Sequence, residues 1–132
     1  MAEHAAEGGQ LEVLGYLPRN LPADEPINEN YTGWVRAEGS TFGPVDALHY
    51  WTDLLFAGVK PQDLRVLAID GGPISAFEYR LALALGVPVG VMEPATRAAA
   101  DLLADPDRRD CTGLVRLPGD ACSLRSFLQP AR

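Results

Sequence analysis

Apolar and polar positions along the chain follow a pattern that predicts short strands alternating with helices. The predicted strands are short apolar runs that end at proline, glycine or charged residues, over residues 11–17, 66–69, 87–92 and 114–117. The predicted helices carry apolar residues three and four positions apart, over residues 44–57, 75–85, 97–104 and 121–128. The order is therefore βαβαβαβ.

This order predicts an α/β fold, since short crossovers between parallel strands place helices on the faces of a sheet. We expect a small Rossmann-like three-layer sandwich, with a mostly parallel sheet of about four strands and helices on both faces. The continuous apolar run at 66–69 is typical of a strand that is covered on both sides. Leu67, Ile69, Val89 and Val91 should then be almost fully buried.

The length of 132 residues predicts a single domain. Residues 1–10 are small, polar and acidic, and we expect them to be flexible. Residues 18–44 are rich in Pro, Gly, Asn and acids and predict a long irregular insertion. It is either a lid or partner arm, or a poorly ordered segment, and Tyr31, Trp34 and Phe42 favour the first interpretation because disordered segments seldom contain such side chains.

A double glycine, Gly71-Gly72, stands between the strand at 66–69 and the following helix. In α/β sheets, ligands bind at the carboxyl ends of the strands, where helix N-termini attract anions. We therefore expect a ligand to approach the backbone here, although both glycines could serve only a tight turn. Ser75 and Glu78 have the S-x-x-E spacing of a capping box, so Glu78 is either a helix cap or a ligand contact.

The segment Gly71-Gly72-Pro73-Ile74-Ser75-Ala76-Phe77-Glu78 resembles the GG-x-G-T-x-x-E signature of the SLOG superfamily. That superfamily includes the LOG "lysine decarboxylase-like" phosphoribohydrolases and the N-terminal regions of melastatin-type TRP channels. A second run, VPVGVMEPATRAAAD at residues 87–101, is similar to the P-x-V-V-V and E-G-S-G-R-x-A-D elements of the channel-like LSDAT branch. The likeness covers about half of the chain.

The resemblance implies a doubly wound sheet and a nucleotide-derived ligand. It places ligand contacts at Gly71, Gly72, Pro73, Ser75, Glu78, Thr96 and Arg97. Arg19 is a weaker candidate for a separate reason, since it follows the first predicted strand and would share the carboxyl edge of the sheet with Gly71 and Glu93. In the LOG enzymes the equivalent of Glu78 acts on the glycosidic bond, so Glu78 is also the candidate catalytic residue. Two turns depart from the family pattern, because Ile74 and the run at 94–96 replace glycines and reduce backbone freedom.

Thr96 and Arg97 begin the predicted third helix. Thr96 can cap this helix. Arg97 is either a solvated side chain or an anion contact, and the second interpretation is favoured because a bound anion would offset the unfavourable position of a cation at a helix N-terminus.

The net charge of −7 argues against nucleic acid as the partner. Residues 1–63 hold ten acids and three bases, whereas residues 64–132 balance eight acids with eight arginines, so an anionic small molecule fits the second half better. No apolar stretch predicts a membrane span or signal peptide, and we expect a cytoplasmic protein. Cys111 and Cys122 have no metal-site spacing and are interpreted as reduced thiols, and no metal is predicted.

Three functions fit these observations. The favoured one is a binding or sensing module for a nucleotide or a nucleotide derivative such as AMP or ADP-ribose, which acts on a partner or on a second copy of the chain, without robust catalysis. A phosphoribohydrolase is the runner-up, but the segment after Leu17 lacks the glycine-rich first turn that such an enzyme requires. The third is a ligand-free assembly module.

Overall fold

A computed structural model of the chain describes residues 12–17, 29, 31–36 and 43–129. The fold class is α/β, and the described residues form parallel sheets of two and three strands and four α-helices. The chain forms two compact units, Met1–Thr52 and Asp53–Arg132. The predicted flexible segment, residues 1–10, lies outside the described residues.

The first unit contains a parallel pair of strands, β1 (Leu14–Leu17) and β2 (Gly33–Arg36). Thr32 anchors the entry to β2, since its hydroxyl accepts a hydrogen bond from the Val13 amide at 2.8 Å and donates one to the Val13 carbonyl at 3.1 Å. The expectation of an irregular segment over 18–44 is therefore wrong for β2. Pairing with a distant strand decides the conformation there, and local composition does not report such pairing.

Helix α1 (Pro44–Phe56) starts and ends close to the predicted positions. Asp46 accepts a hydrogen bond from the Gly43 amide at 3.0 Å, which satisfies an N–H group at the helix start. Gly58, with φ of 87°, lies just beyond the C-terminus, where a left-handed residue commonly ends a helix. Ala47 and Trp51 are buried.

The second unit is built on a three-stranded parallel sheet of β3 (Val66–Ala68), β4 (Val89–Met92) and β5 (Leu114–Leu117), in that order. One helix follows each strand in turn: α2 (Pro73–Ala84), α3 (Arg97–Ala104) and α4 (Ala121–Leu128). Two short 3₁₀ helices, Pro61–Asp63 and Pro106–Arg108, precede β3 and follow α3. The strand order follows the sequence without reversal, so the doubly wound sheet that the resemblance implies is not found in this sheet.

Helices cover both faces of this sheet, as predicted. Helices α2 and α3 pack against each other and against β4, because two successive right-handed crossovers in the same direction place their helices on one face. Val89 and Val91 have no exposed surface, and Gly90 between them faces the opposite side. A Cβ atom at Gly90 would lie 2.8 Å from the ring of Phe127, so α4 packs on that opposite face.

The predicted core is confirmed for β4 but not for β3. Val89 and Val91 are fully buried, whereas Leu67 is half-buried and Ile69 is 48% exposed. The prediction for Ile69 is wrong because β3 ends at Ala68, the last residue that pairs with β4. The last apolar residue of the run has therefore already left the sheet.

Helix α2 has two apolar stripes, and one of them is buried. Tyr79, Ala82 and Leu83 are buried, whereas Phe77 is 36% exposed. Both stripes of this helix are apolar at helical spacing, so the periodicity alone does not decide which one faces the sheet. In α4, the apolar spacing predicts that Leu124, Phe127 and Leu128 face inward, but Leu128 is 46% exposed. None of the helices in the described ranges is long and apolar enough to cross a membrane.

Candidate functional site

The turn at the carboxyl end of β3 has an unusual backbone. Asp70 has φ of 55° and Gly71 has φ of 105°, so two successive residues are in the left-handed half of conformational space. Gly71 has to be glycine for a second reason, since a Cβ atom there would lie 2.5 Å from the Cβ of Ser75. Gly72 has an ordinary φ of −100° and is the N-cap residue of α2, which Pro73 begins.

Backbone hydrogen bonds tie this turn to the N-terminus of α3. The amide of Ala98 donates to the Gly71 carbonyl at 3.1 Å, and the amide of Ala99 donates to the Asp70 carbonyl at 3.1 Å. The first turn of a helix normally leaves such amides without partners. Here the protein itself supplies two acceptors, so these amides are not available to a ligand.

The side chain of Asp70 joins the same two elements. Its Oδ1 accepts a hydrogen bond from the Thr96 hydroxyl at 3.0 Å, and its Oδ2 pairs with Nη1 of Arg97 at 3.3 Å. Desolvation acts to raise the pKa of Asp70, but the Thr96 hydrogen bond and the Arg97 charge together outweigh it and hold that pKa below its ordinary value. Asp70 is therefore ionised at neutral pH.

Tyr79 is hydrogen-bonded to the backbone of this turn. Its hydroxyl donates to the Asp70 carbonyl at 3.2 Å. Burial is the largest influence on the Tyr79 hydroxyl and raises its pKa, although a hydrogen bond with Ser75 opposes that effect. Ser75 thus contributes to the packing beneath Gly71.

A shallow surface cleft of about 370 Å³ opens beside the double glycine. Arg97 crosses its edge, because its Nη2 would lie 3.3 Å from a Cβ atom at Gly72 while its Nη1 pairs with Asp70. The cleft is lined by Gly71, Gly72, Pro73, Ala76, Arg97, Ala98 and Asp101. It offers one cation, one carboxylate and a stretch of backbone without side chains, a combination that suits a ligand with both an anionic group and hydrogen-bond donors.

The structure brings some of the predicted site residues together and separates others. Gly71, Gly72, Pro73 and Arg97 line the cleft. Thr96 does not line it, and its hydroxyl donates to Asp70. Ser75 and Glu78 are not among the lining residues. Arg19 lies outside the described residues.

Two predicted helix caps are wrong. Gly72, not Ser75, is the N-cap of α2, because Pro73 starts the helix earlier than the S-x-x-E spacing suggests, and no side chain caps it. Thr96 does occupy the N-cap position of α3, but its hydroxyl does not cap the helix. That hydroxyl donates to Asp70 instead.

Two carboxylates near the cleft, Asp70 and Asp101, are not among the predicted site residues. Asp70 follows the strand directly, which is the position where a parallel sheet delivers side chains to its binding edge. Asp101 lies four residues after Arg97 and lines the same cleft. Both spacings are visible in the sequence, but neither indicates which side chain would pair with Arg97.

A second charged pair lies at the carboxyl end of β4. Glu93, expected at the same edge as Gly71, accepts a hydrogen bond from Nη1 of Arg116 at 2.9 Å. In the described part of the chain, no group of three or more His, Cys, Asp and Glu side chains could hold a metal ion. Cys111 and Cys122 carry free thiols.

Searches against family models, curated proteins and solved structures find no match to this chain. The likeness to the SLOG superfamily therefore rests on the motifs at residues 71–78 and 87–101 and stays a prediction.

Proposed function

We propose that the chain is a binding or sensing module for a nucleotide or a nucleotide-derived ligand of the AMP or ADP-ribose type, without robust catalysis. The observation that carries the proposal is the cleft at the carboxyl end of β3, where the double-glycine turn and Arg97 meet. This is the edge of a parallel sheet at which α/β proteins hold their ligands. The motif resemblance points to the same residues.

Each group at the cleft has a role in this proposal. Gly72 has no side chain, so a phosphate can approach the backbone next to the Nη2 atom of Arg97. Asp101 accepts hydrogen bonds from hydroxyl groups, such as those of a ribose. Asp70 holds the guanidinium of Arg97 in place through Nη1.

Titration calorimetry with AMP, ADP-ribose, cyclic ADP-ribose and NAD tests the proposal. We expect at least one ligand to bind, and Arg97→Gln to weaken its Kd about tenfold or more, since hydrogen bonds to charged groups contribute about 1.5–3 kcal/mol. Arg125→Gln is the matched control, because Arg125 is an exposed arginine on α4 and does not line the cleft. Equal affinities in the two variants would place the ligand elsewhere, and no binding of any of the four would refute the proposal.

The hydrolase alternative assigns the catalytic carboxylate to Glu78. Glu78 is half-buried on α2 and does not line the cleft, which supports binding rather than hydrolysis. Release of free base from the same four compounds is the discriminating assay. Release that depends on Glu78 would favour the enzyme.

Exposed apolar side chains favour the third function, an assembly module. Ile69 is 48% exposed, and Ile74 and Phe77 at the start of α2 are 38% and 36% exposed. Side chains of this kind are enriched in contacts between copies of a chain. Sedimentation over a hundredfold concentration range tests this alternative, and a monomer at all concentrations would exclude self-assembly.

A further inference from the structure

The charges around the cleft do not favour a strongly anionic ligand. Among the residues that line it, Arg97 is the only cation and Asp101 is a carboxylate. Asp70 adds a second carboxylate, since it pairs with Arg97 at 3.3 Å. The site therefore carries a net charge of −1 from these three side chains.

Arg97 is already partly neutralised before any ligand binds. Its Nη1 pairs with Asp70, and only the side of the guanidinium that faces Gly72 is directed at the cleft. The first turn of α3 adds little, because the amides of Ala98 and Ala99 donate to backbone carbonyls. A bound phosphate would thus share a single cation with Asp70.

We infer that the cleft selects phosphate esters with one negative charge over phosphate monoesters, which carry close to two, and that Asp70 sets this preference. The inference rests on the proposed function and adds the charge of the ligand to it. A phosphodiester, as found where a nucleotide is esterified a second time, keeps one negative charge that Arg97 can match. The second charge of a monoester faces Asp70 across the guanidinium without a partner.

The size of the effect follows from Coulomb's law. A phosphate oxygen on the far side of the guanidinium lies roughly 6 Å from the Asp70 carboxylate, about two hydrogen-bond lengths away. The Arg97 guanidinium attracts the additional charge and the Asp101 carboxylate repels it, so these two contributions oppose each other. The repulsion from Asp70 is left over, and at that distance in water-like surroundings it lowers the affinity about three- to fivefold. Added salt should reduce the factor, because the cleft is exposed to solvent.

A matched pair of ligands tests the inference: AMP and its methyl ester, which differ by one charge at pH 7.5. The measured quantity is the ratio of their Kd values by calorimetry at low salt, in the wild type and in Asp70→Asn, Asp101→Asn and Asp107→Asn. Asp107 is an exposed control beyond the C-terminus of α3, at the other end of the helix from the cleft. A direct contact of the methyl group would change this ratio by the same factor in every variant, so it does not affect the comparison between variants.

We expect the ester to bind about three- to fivefold more tightly than AMP in the wild type and in Asp107→Asn. Asp70→Asn should bring the ratio close to one, and Asp101→Asn should move it in the same direction. If Asp70→Asn does not fold, Asp101→Asn tests the charge preference, because none of the contacts described between α3 and the turn after β3 involves Asp101. Asp70→Ser then tests the role of Asp70, since its hydroxyl keeps a hydrogen-bond acceptor without the charge.

Two results would overturn the inference. AMP that binds as tightly as its ester in the wild type contradicts the preference itself. An Asp70→Asn variant that strengthens both ligands equally contradicts the role of Asp70, and in both cases the proposed binding function stands. If ADP-ribose or NAD binds but neither AMP nor its methyl ester binds to any variant, the charge preference is wrong for simple esters. If none of these ligands binds, both the charge preference and the proposed function are wrong.

Discussion

Substituting alanine at each of the two adjacent glycines should have very different costs, although both glycines belong to the same motif. In Gly71→Ala, the residue would have φ of 105°. Its new Cβ atom would lie 2.5 Å from the Cβ of Ser75 and 3.0 Å from the hydroxyl oxygen of Tyr79. In Gly72→Ala, φ is −100°, and the nearest atom is Nη2 of Arg97 at 3.3 Å. The backbone strain and the tightest overlap are both confined to Gly71.

The magnitudes follow from these contacts. A left-handed conformation costs an L-residue about 1–2 kcal/mol, and overpacking against a helix that cannot shift freely costs about 1–3 kcal/mol. Gly71→Ala should therefore lower the free energy of unfolding by about 2–5 kcal/mol. Gly72→Ala should change it by less than about 1 kcal/mol, since the end of an exposed arginine can move aside and alanine reduces the entropy of the unfolded chain.

Urea denaturation followed by far-ultraviolet circular dichroism measures both values under the same conditions, since the three helices α2, α3 and α4 of the second unit contribute to that signal. Equal costs for the two variants would contradict the turn geometry after β3. A large cost at Gly72 alone would mean that the left-handed residue is the second glycine. That result would also remove the reason for placing Arg97 over Gly72.

Three further changes have defined outcomes. Leu102→Ala should cost about 2–5 kcal/mol in urea denaturation, because Leu102 has no exposed surface, whereas Leu67→Ala at a half-buried position should cost less. Folding lowers the pKa of Asp70, so its contribution to stability is present above its unfolded pKa of about 3.9 and is lost as the pH falls through the folded value. The difference in stability between wild type and Asp70→Asn should therefore shrink below about pH 4. A difference that is constant from about pH 7 to pH 3 would contradict this. Glu78→Gln should leave nucleotide affinity within about twofold in calorimetry, because Glu78 does not line the cleft, and a loss above tenfold would restore Glu78 as a ligand contact.

The parts of the fold that the sequence predicts well are those with strong local signals. Helix α3 has the predicted bounds because Asp105-Pro106 ends it, and β5 has the predicted bounds because Gly113 and Pro118 enclose its apolar run. Strand β2 has no such signal, since only the two central residues of Gly33–Arg36 are apolar and its partner β1 is many residues away. Long-range pairing of this kind leaves no trace in a short window of sequence.

In the candidate site, too, the sequence predicts the local turn but not the long-range contacts. A strand followed by two glycines and a proline predicts a turn that opens a helix, and that turn is present. Its geometry fixes Gly71 rather than Gly72 as the strained position, because the left-handed backbone begins one residue earlier, at Asp70. With φ of 55°, Asp70 turns out of the line of β3, and its carboxylate accepts a hydrogen bond from Thr96 and pairs with Arg97 on α3. Thr96 and Arg97 lie 26 and 27 positions after Asp70 in the sequence. Only the parallel pairing of β3 with β4 brings the start of α2 next to the start of α3. An acid directly after a buried strand, with a threonine and an arginine at the start of the next helix, is therefore a pattern that can indicate such a contact, but only once the two strands are known to be neighbours.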